Sequence, residues 1–323
     1  MLAEFDLIAR FFQRPAAAAD SGVLLGIGDD AAILNVTPGH SLIVATDAIV
    51  ESVHFPSCTP AHAVGYRALA VNLSDFAAMA ARPRWASLAL ALPSADAEWV
   101  EQFAAGFFAL ADVYGVQLVG GDTVSGPLAA TVTLQGEVAE GNAVLRRGAG
   151  VAELIYVTGH PGDAVAGRLC EGDTPAAHYL AERFLYPTPR VYEGLSLAGV
   201  ASAMIDVSDG LAADLGHILV ASGVGAELDV NTLPLSAELL AAVGAEQAIK
   251  MALLGGDDYE LCFTVPAALA DEFAVLSASW ECGVTCIGRT VARAGQRWSK
   301  DGDIYIVPEA GFDHFDNSAR SSL

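Results

Sequence analysis

The chain has 323 residues, 53% of them hydrophobic, and a formal net charge of −23. That length holds one large domain or two ordinary ones with a substantial core, and the charge argues against nucleic acid, whose phosphates would be repelled. The longest stretch without Asp, Glu, Lys or Arg is 31–46, broken by Asn35, Thr37, Pro38, Gly39 and His40, and it falls short of the roughly 20 apolar residues of a membrane span.

The start, Met1-Leu2-Ala3-Glu4-Phe5-Asp6, carries two acids and no basic segment, so a signal peptide is not expected and the chain reads as cytoplasmic. Leu2, Phe5, Ile8, Phe11 and Phe12 fall at helical spacing over 2–12. Beyond the alanines 16–19, Gly26–Asp30 leads into 31–36, and 41–46 reads as a buried strand delivering Asp47. A helix is expected over 61–81, ended by Pro83, with Asn72 and Asp75 on one face. Next come a strand over 85–92, a helix over 97–114, a strand over 116–119 ending at Gly120-Gly121-Asp122, and a strand over 131–138. A boundary is expected around 147–152, which gives domains 1–148 and 149–323. The second begins with a strand over 154–158 and a short helix after Gly159-His160-Pro161-Gly162-Asp163. It continues with a strand over 204–206, a helix over 211–221, and strands near 227–230, 259–265, 284–288 and 304–307. Alternating strands and helices in both halves predict an α/β or α+β layered fold.

Five cysteines, at 58, 170, 262, 282 and 286, are too scattered for a metal set and are read as buried reduced thiols. Lys250 and Lys300 are the only lysines. There is no G-x-x-x-x-G-K-[ST] loop, and Gly26-x-Gly28 is followed by Asp-Asp-Ala, so the usual nucleotide fingerprints are absent. An enzyme of this composition that handles phosphate must neutralise its charge with metal ions or arginine. Asp29, Asp30, Asp47, Asp75 and Asp122 stand beside glycines or at the ends of apolar runs. Hard cations such as Mg²⁺ use one or two carboxylates in this way, with waters and substrate phosphates completing the shell. One such motif alone would be a turn or a helix cap; five together favour metal.

Ser208 or Asp209, in Asp206-Val207-Ser208-Asp209-Gly210, can cap the helix that follows, while Asp206 ends a strand and is harder to explain as a cap. Asp257-Asp258-Tyr259-Glu260 is either a contact for a cationic group or a solvated loop. Arg146 and Arg147 suit either polyphosphate or a surface linker. His54 is either a substrate contact or a half-buried histidine. No local Ser-His-Asp or Cys-His arrangement is present, so metal-assisted direct transfer is favoured over covalent catalysis.

Gly26-Ile27-Gly28-Asp29-Asp30-Ala31, the segment from Ala70-Val71-Asn72-Leu73-Ser74-Asp75 to Met79, Gly120-Gly121-Asp122-Thr123, Ile205-Asp206-Val207-Ser208-Asp209-Gly210-Leu211 and Gly255-Gly256-Asp257-Asp258-Tyr259-Glu260-Leu261 resemble, in order, the motifs of the thiamine-monophosphate kinase family. The resemblance runs from Phe5 to Gly311-Phe312-Asp313-His314-Phe315. It implies a two-domain fold of the aminoimidazole ribonucleotide synthetase type, with N-terminal sheets pairing across a homodimer. It also implies ATP-dependent phosphorylation of thiamine monophosphate to thiamine diphosphate with several Mg²⁺ ions. Carried over residue by residue, Asp30, Thr46, Asp47, Asp75, Asp122, Asp206 and Asp209 would hold metal, with Asp47, Asp75 and Asp122 catalytic. Gly121, Asp122, Arg146 and Ser208 would contact ATP; His54, Asp257 and Phe312 would contact the thiamine phosphate. Position 257 is Asp where the family often has Glu, and 312 is Phe where a more polar aromatic is common. The alternatives are another ATP-using enzyme of the superfamily, with selenophosphate synthetase disfavoured for want of an early reactive Cys or Lys, or a non-catalytic metal or nucleotide sensor.

Overall fold

A computed structural model of the chain describes residues 4–14, 21–169 and 172–308. The chain divides into two compact units. One runs through Phe76 and from Ala81 to Ala143; the other takes in Ala77–Ala80 and the chain from Val144 onward. The division at 143/144 falls a few residues ahead of the stretch where the sequence places it.

In the first unit, α1 (Glu4–Leu7) continues as a π-helical segment, Ile8–Phe12, and β1 (Val23–Leu25) pairs with β2 (Ile33–Leu34). The body is a four-stranded sheet of β3 (His40–Val50), β4 (Arg82–Leu92), β5 (Gln117–Ser125) and β6 (Ala129–Ala139), in the order β3-β6-β4-β5. The β3–β6 ladder is unbroken from His40↔Ala139 to Val50↔Ala129, and β4 and β5 are parallel. Helices α2 (Ala61–Ala78) and α3 (Ala97–Tyr114) supply the apolar layer. The Asp96 carboxylate accepts from the amides of Glu98 and Trp99 and starts α3; Gly115, at φ 67°, ends it in the left-handed region. The two helices cross closely at glycine, since a Cβ on Gly65 would lie 1.9 Å from the Phe103 carbonyl oxygen.

Period-two alternation gives the sheet unlike faces. Leu88, Leu90, Ala130, Val132 and Leu134 are buried on one, whereas Leu42 (50% exposed), Val44 (56%), Ala48, Ala89 and Val124 (50%) are open on the other. The strands run further than sequence predicts. Asp47 and Asp122 sit inside β3 and β5, not at strand-to-loop junctions, because flanking glycine and threonine continue the extended backbone here instead of turning it.

The second unit contains β7 (Leu154–Thr158), α4 (Asp163–Leu169), α5 (Pro175–Leu185), α6 (Val191–Ser196), β8 (Ala203–Val207), α7 (Leu211–Ser222) and β9 (Gly225–Asp229). Then follow α8 (Ala237–Val243), α9 (Ala245–Leu254), β10 (Glu260–Val265), α10 (Ala270–Ser277), β11 (Val284–Val291), β12 (Gly295–Lys300) and β13 (Asp303–Tyr305). Its seven-stranded sheet has the order β13-β12-β9-β11-β7-β10-β8, antiparallel except for β12 beside β9. Ile155, Val157, Ile205 and Cys262 pack with Leu211, Leu215, Ile218 and Leu253 of α7 and α9 on one face. Alternation sends Tyr156 and Phe263 to the other, where they cluster with Phe273 of α10 and Trp280.

Among the described cysteines, the expected burial holds only for Cys262. Cys58 and Cys286 are exposed and Cys282 is half-buried, while Cys170 lies outside the described residues. Cys286 sits at an outward position of β11, where the apolar run hides the alternation. All four described cysteines are free, and burial pushes the Cys282 thiol up to about 12.

Candidate active site

In the first unit, Asp29, Asp30, Gly120, Gly121, Asp122 and Thr123 line one cavity of about 760 Å³, together with Ser87 and Leu88. The carboxylates are exposed, and two of them turn back onto the amide that follows. Asp29 Oδ1 accepts from the Asp30 amide and Asp122 Oδ1 from the Thr123 amide, both at 2.8 Å. Gly121 is required by sterics: its φ is 147°, and a Cβ there would lie 1.8 Å from the Leu88 carbonyl oxygen. The glycine draws β5 against β4 and leaves open backbone beside Asp122.

Asp47 belongs to a second group. Its amide donates to Asn72 Oδ1 at 3.2 Å, and Asp75 lies one turn further along α2, half-buried. Ladder register sets Asp47, Val132, Leu88 and Gly121 in one cross-strand row. With β6 and β4 between them, Asp47 and Gly121 are roughly 14 Å apart at about 4.8 Å per strand. Thr46 leaves the strand on the face opposite Asp47 and donates to Thr133 Oγ1 at 3.0 Å, so only its carbonyl can join Asp47 at one ion. His54 closes the turn after β3, its Nδ1 accepting from the Val50 amide at 3.0 Å.

Among the described residues no three His, Cys, Asp or Glu side chains converge as a metal cage. The donor set nonetheless fits Mg²⁺. It consists of hard carboxylate oxygens in ones and twos, exposed at Asp30 and Asp122 and half-buried at Asp47, Asp75 and Asp209, as suits an ion whose shell is completed by water and substrate phosphates.

In the second unit, Asp206 is buried near the end of β8, and Ser208 and Asp209 follow it half-exposed. Neither caps α7. Gly210 occupies the N-cap position, and Asp214 in the first turn reaches back so that its Oδ2 accepts from both the Ser208 and Asp209 amides at 3.0 Å. Burial pushes the Asp214 carboxyl up to about 7, against these two amides, and Asp206 and Asp209 add to the rise. Arg146 is exposed, and its carbonyl accepts from Ser222 Oγ.

The acidic run 257–260 is neither one cluster nor a solvated loop. Asp257 is half-buried, with Oδ2 3.8 Å from Arg168 Nη1 and Oδ1 accepting from the Tyr259 hydroxyl. Asp258 is buried and accepts from the amides of Gly162 at 2.7 Å and Ala164 at 3.1 Å at the start of α4. Glu260 is wholly buried and accepts from Arg190 Nε at 2.6 Å, Arg190 Nη2 at 2.5 Å, Arg183 Nη2 at 3.0 Å and Thr158 Oγ1 at 2.7 Å. Asp257 and Tyr259 both have positive φ, 69° and 53°, a conformation costing non-glycine residues of order 1–3 kcal/mol. That pair of reversals throws neighbouring side chains in different directions.

Phe312 lies outside the described residues. Sequence reasoning singled out neither Asp214 nor the Arg190–Glu260 pair. An acid in the first turn of a helix is a readable signal for the first; nothing local links residues 70 positions apart.

Residues 28–138 match the family described as AIR synthase related protein, N-terminal domain, and residues 153–299 its C-terminal domain. The thiamine-monophosphate kinase of Salmonella typhimurium is 46% identical over 320 residues, 97% of this chain and 98% of that protein. That of Bacillus subtilis is 36% identical over 332 residues, 97% and 99% of the two chains. The crystal structure of thiamine-monophosphate kinase from Stenotrophomonas maltophilia superposes with a TM-score of 0.83 at 44% identity, covering 89% of this chain and 93% of that one. A structure described as AaThiL complexed with AMPPCP and TMP gives 0.77 at 33%, covering 87% and 89%. The paired folds, the ordered aspartate motifs and full-length identity converge: this chain belongs to the thiamine-monophosphate kinase family.

Proposed function

We propose that the chain transfers the γ-phosphate of ATP to thiamine monophosphate, giving thiamine diphosphate, by direct in-line attack. The observation that carries this is full-length relatedness to thiamine-monophosphate kinases, at 46% identity over 97% of the chain. Asp30, Thr46, Asp47, Asp75, Asp122, Asp206 and Asp209 would hold Mg²⁺, with Asp47, Asp75 and Asp122 the catalytic members. Bound Mg²⁺ supplies charge neutralisation to the phosphates. Gly121, Asp122, Arg146 and Ser208 contact ATP: the Gly121 backbone admits close approach, and the Arg146 fork pairs with phosphate oxygens. His54 and Asp257 contact thiamine monophosphate, as does Phe312, and the Asp257 carboxylate faces the fixed positive charge of the thiazolium. The attacking phosphate is already largely ionised at neutral pH, its second pKa being about 6, so the chain needs no strong base and acts by positioning.

We assign the open face of the four-stranded sheet to a second copy. Leu42, Val44, Ala48, Ala89 and Val124 form an apolar surface there, and β3 is a sheet edge. The enzyme would thus act as a homodimer, in the cytoplasm. A coupled assay for ADP release tests the activity. ADP should form only when ATP, Mg²⁺ and thiamine monophosphate are all present, and Asp47→Ala, Asp75→Ala or Asp122→Ala should lower turnover by about 10²-fold or more. ADP release without thiamine monophosphate, or full turnover in any of the three variants, would overturn the assignment.

A further inference from the structure

We propose that Asp258 is a positioning residue for substrate recognition: its buried carboxylate fixes where the Asp257 carboxylate points and which helix supplies its neighbouring cation. This rests on the reading that Asp257 faces the thiazolium.

Asp257 and Tyr259 hold positive φ on either side of Asp258; the Asp258 side chain is buried, Asp257 stays half-buried, and the Tyr259 hydroxyl, on a buried ring, donates to the Asp257 carboxylate. Such backbone persists only where its surroundings over-determine it. Two bonds go to the end of β8 and the residue after it, the Asp257 amide donating to the Ser208 carbonyl at 3.0 Å and the Tyr259 amide to the Val207 carbonyl at 2.8 Å. These fix the outer edge of the segment. The inner edge is fixed by Asp258, whose two oxygens take the Gly162 and Ala164 amides separately. The segment has little room to relax, since a Cβ on Gly256 would lie 2.2 Å from the Ser208 carbonyl oxygen.

The same carboxylate sets the geometry on the far side of Asp257. The amides it holds begin α4, and Arg168 in the last turn of that helix is the residue 3.8 Å from Asp257 Oδ2. Asp258 thus anchors both members of the Arg168–Asp257 pair, one through the backbone and one through the helix. It is 3% exposed and its oxygens are taken by the amides at the start of α4, so its influence on substrate runs through Asp257.

The test uses the full chain and steady-state kinetics for both substrates. Asp258→Asn keeps the shape but presents an NH₂ to one of two N–H donors, breaking one anchor. It should raise KM for thiamine monophosphate about tenfold and leave KM for ATP within about twofold. In an Asp257→Asn background the same change should add less than about twofold, since the carboxylate it positions is gone. Asp258→Ser, whose hydroxyl accepts without added bulk, replaces it if Asp258→Asn does not fold. An equal rise in KM in both backgrounds, or a parallel rise for ATP, would reduce Asp258 to a fold residue and sink the proposal. If Asp257→Asn alone leaves KM for thiamine monophosphate unchanged, the thiazolium reading itself fails. If it raises KM while Asp258→Asn does not, only the positioning role is lost.

Discussion

Glu260 and Asp258 lie two positions apart and answer pH in opposite senses. Burial pushes the Glu260 carboxyl up, but Arg190 at hydrogen-bond distance, with Arg183 and Thr158, outweighs it and holds the group below its ordinary 4.5. A carboxylate whose folded pKa is depressed contributes stability above its unfolded value and loses it as pH falls through the folded one. For Asp258 burial dominates, so its pKa stands well above 3.8, and the cost of its charge grows as pH rises above that ordinary value. Replacing Glu260 by Gln strands the buried Arg190 and should cost about 3–5 kcal/mol at neutral pH. Thermal melts should show that deficit shrinking below pH 4.5, where the wild type gives up the same contribution. A deficit independent of pH would show that packing, not charge, accounts for the loss.

At the scale of the strand, β5 carries the sharpest requirement. Gly121→Ala puts a methyl into the Leu88 carbonyl and must separate β5 from β4. It should cost about 1–3 kcal/mol in stability and at least about tenfold in turnover. A variant with unchanged melting and activity would mean that the β4–β5 contact is not needed. Elements with their own punctuation were legible in sequence: α3 begins at the Asp96 cap and ends at Gly115, and both ends fall where the sequence places them. Strands β3 and β5 outran their expected ends because Thr46-Asp47 and Gly120-Gly121-Asp122 carry turn-forming residue types whose extended pairing depends on β6 and β4, remote in sequence. Strand β12, Gly295–Lys300, shows no apolar alternation and was not foreseen. In the candidate site, the aspartates were legible as donors. Their separation into two groups is a matter of register, and the parting of Asp257 from Asp258 depends on positive φ at residues that are not glycine.

For the whole molecule, the open face of the first unit's sheet is the surface proposed to meet a second copy. Val44 is 56% exposed, and at such a position in a free monomer an Asp would change stability by no more than about 0.5 kcal/mol. In the proposed dimer it would lie in an apolar contact, beside Leu42. Light scattering after gel filtration should find the wild type at twice the chain mass of 33.3 kDa and Val44→Asp at one chain mass. A Val44→Asp variant still at twice that mass would place the contact elsewhere. Covering that face by a second copy would have a consequence for the cell. Stability borrowed from a partner follows mass action, so the melting temperature should climb with protein concentration. Near the dissociation constant, halving expression would remove more than half of the activity, making output respond to gene dosage more steeply than in proportion.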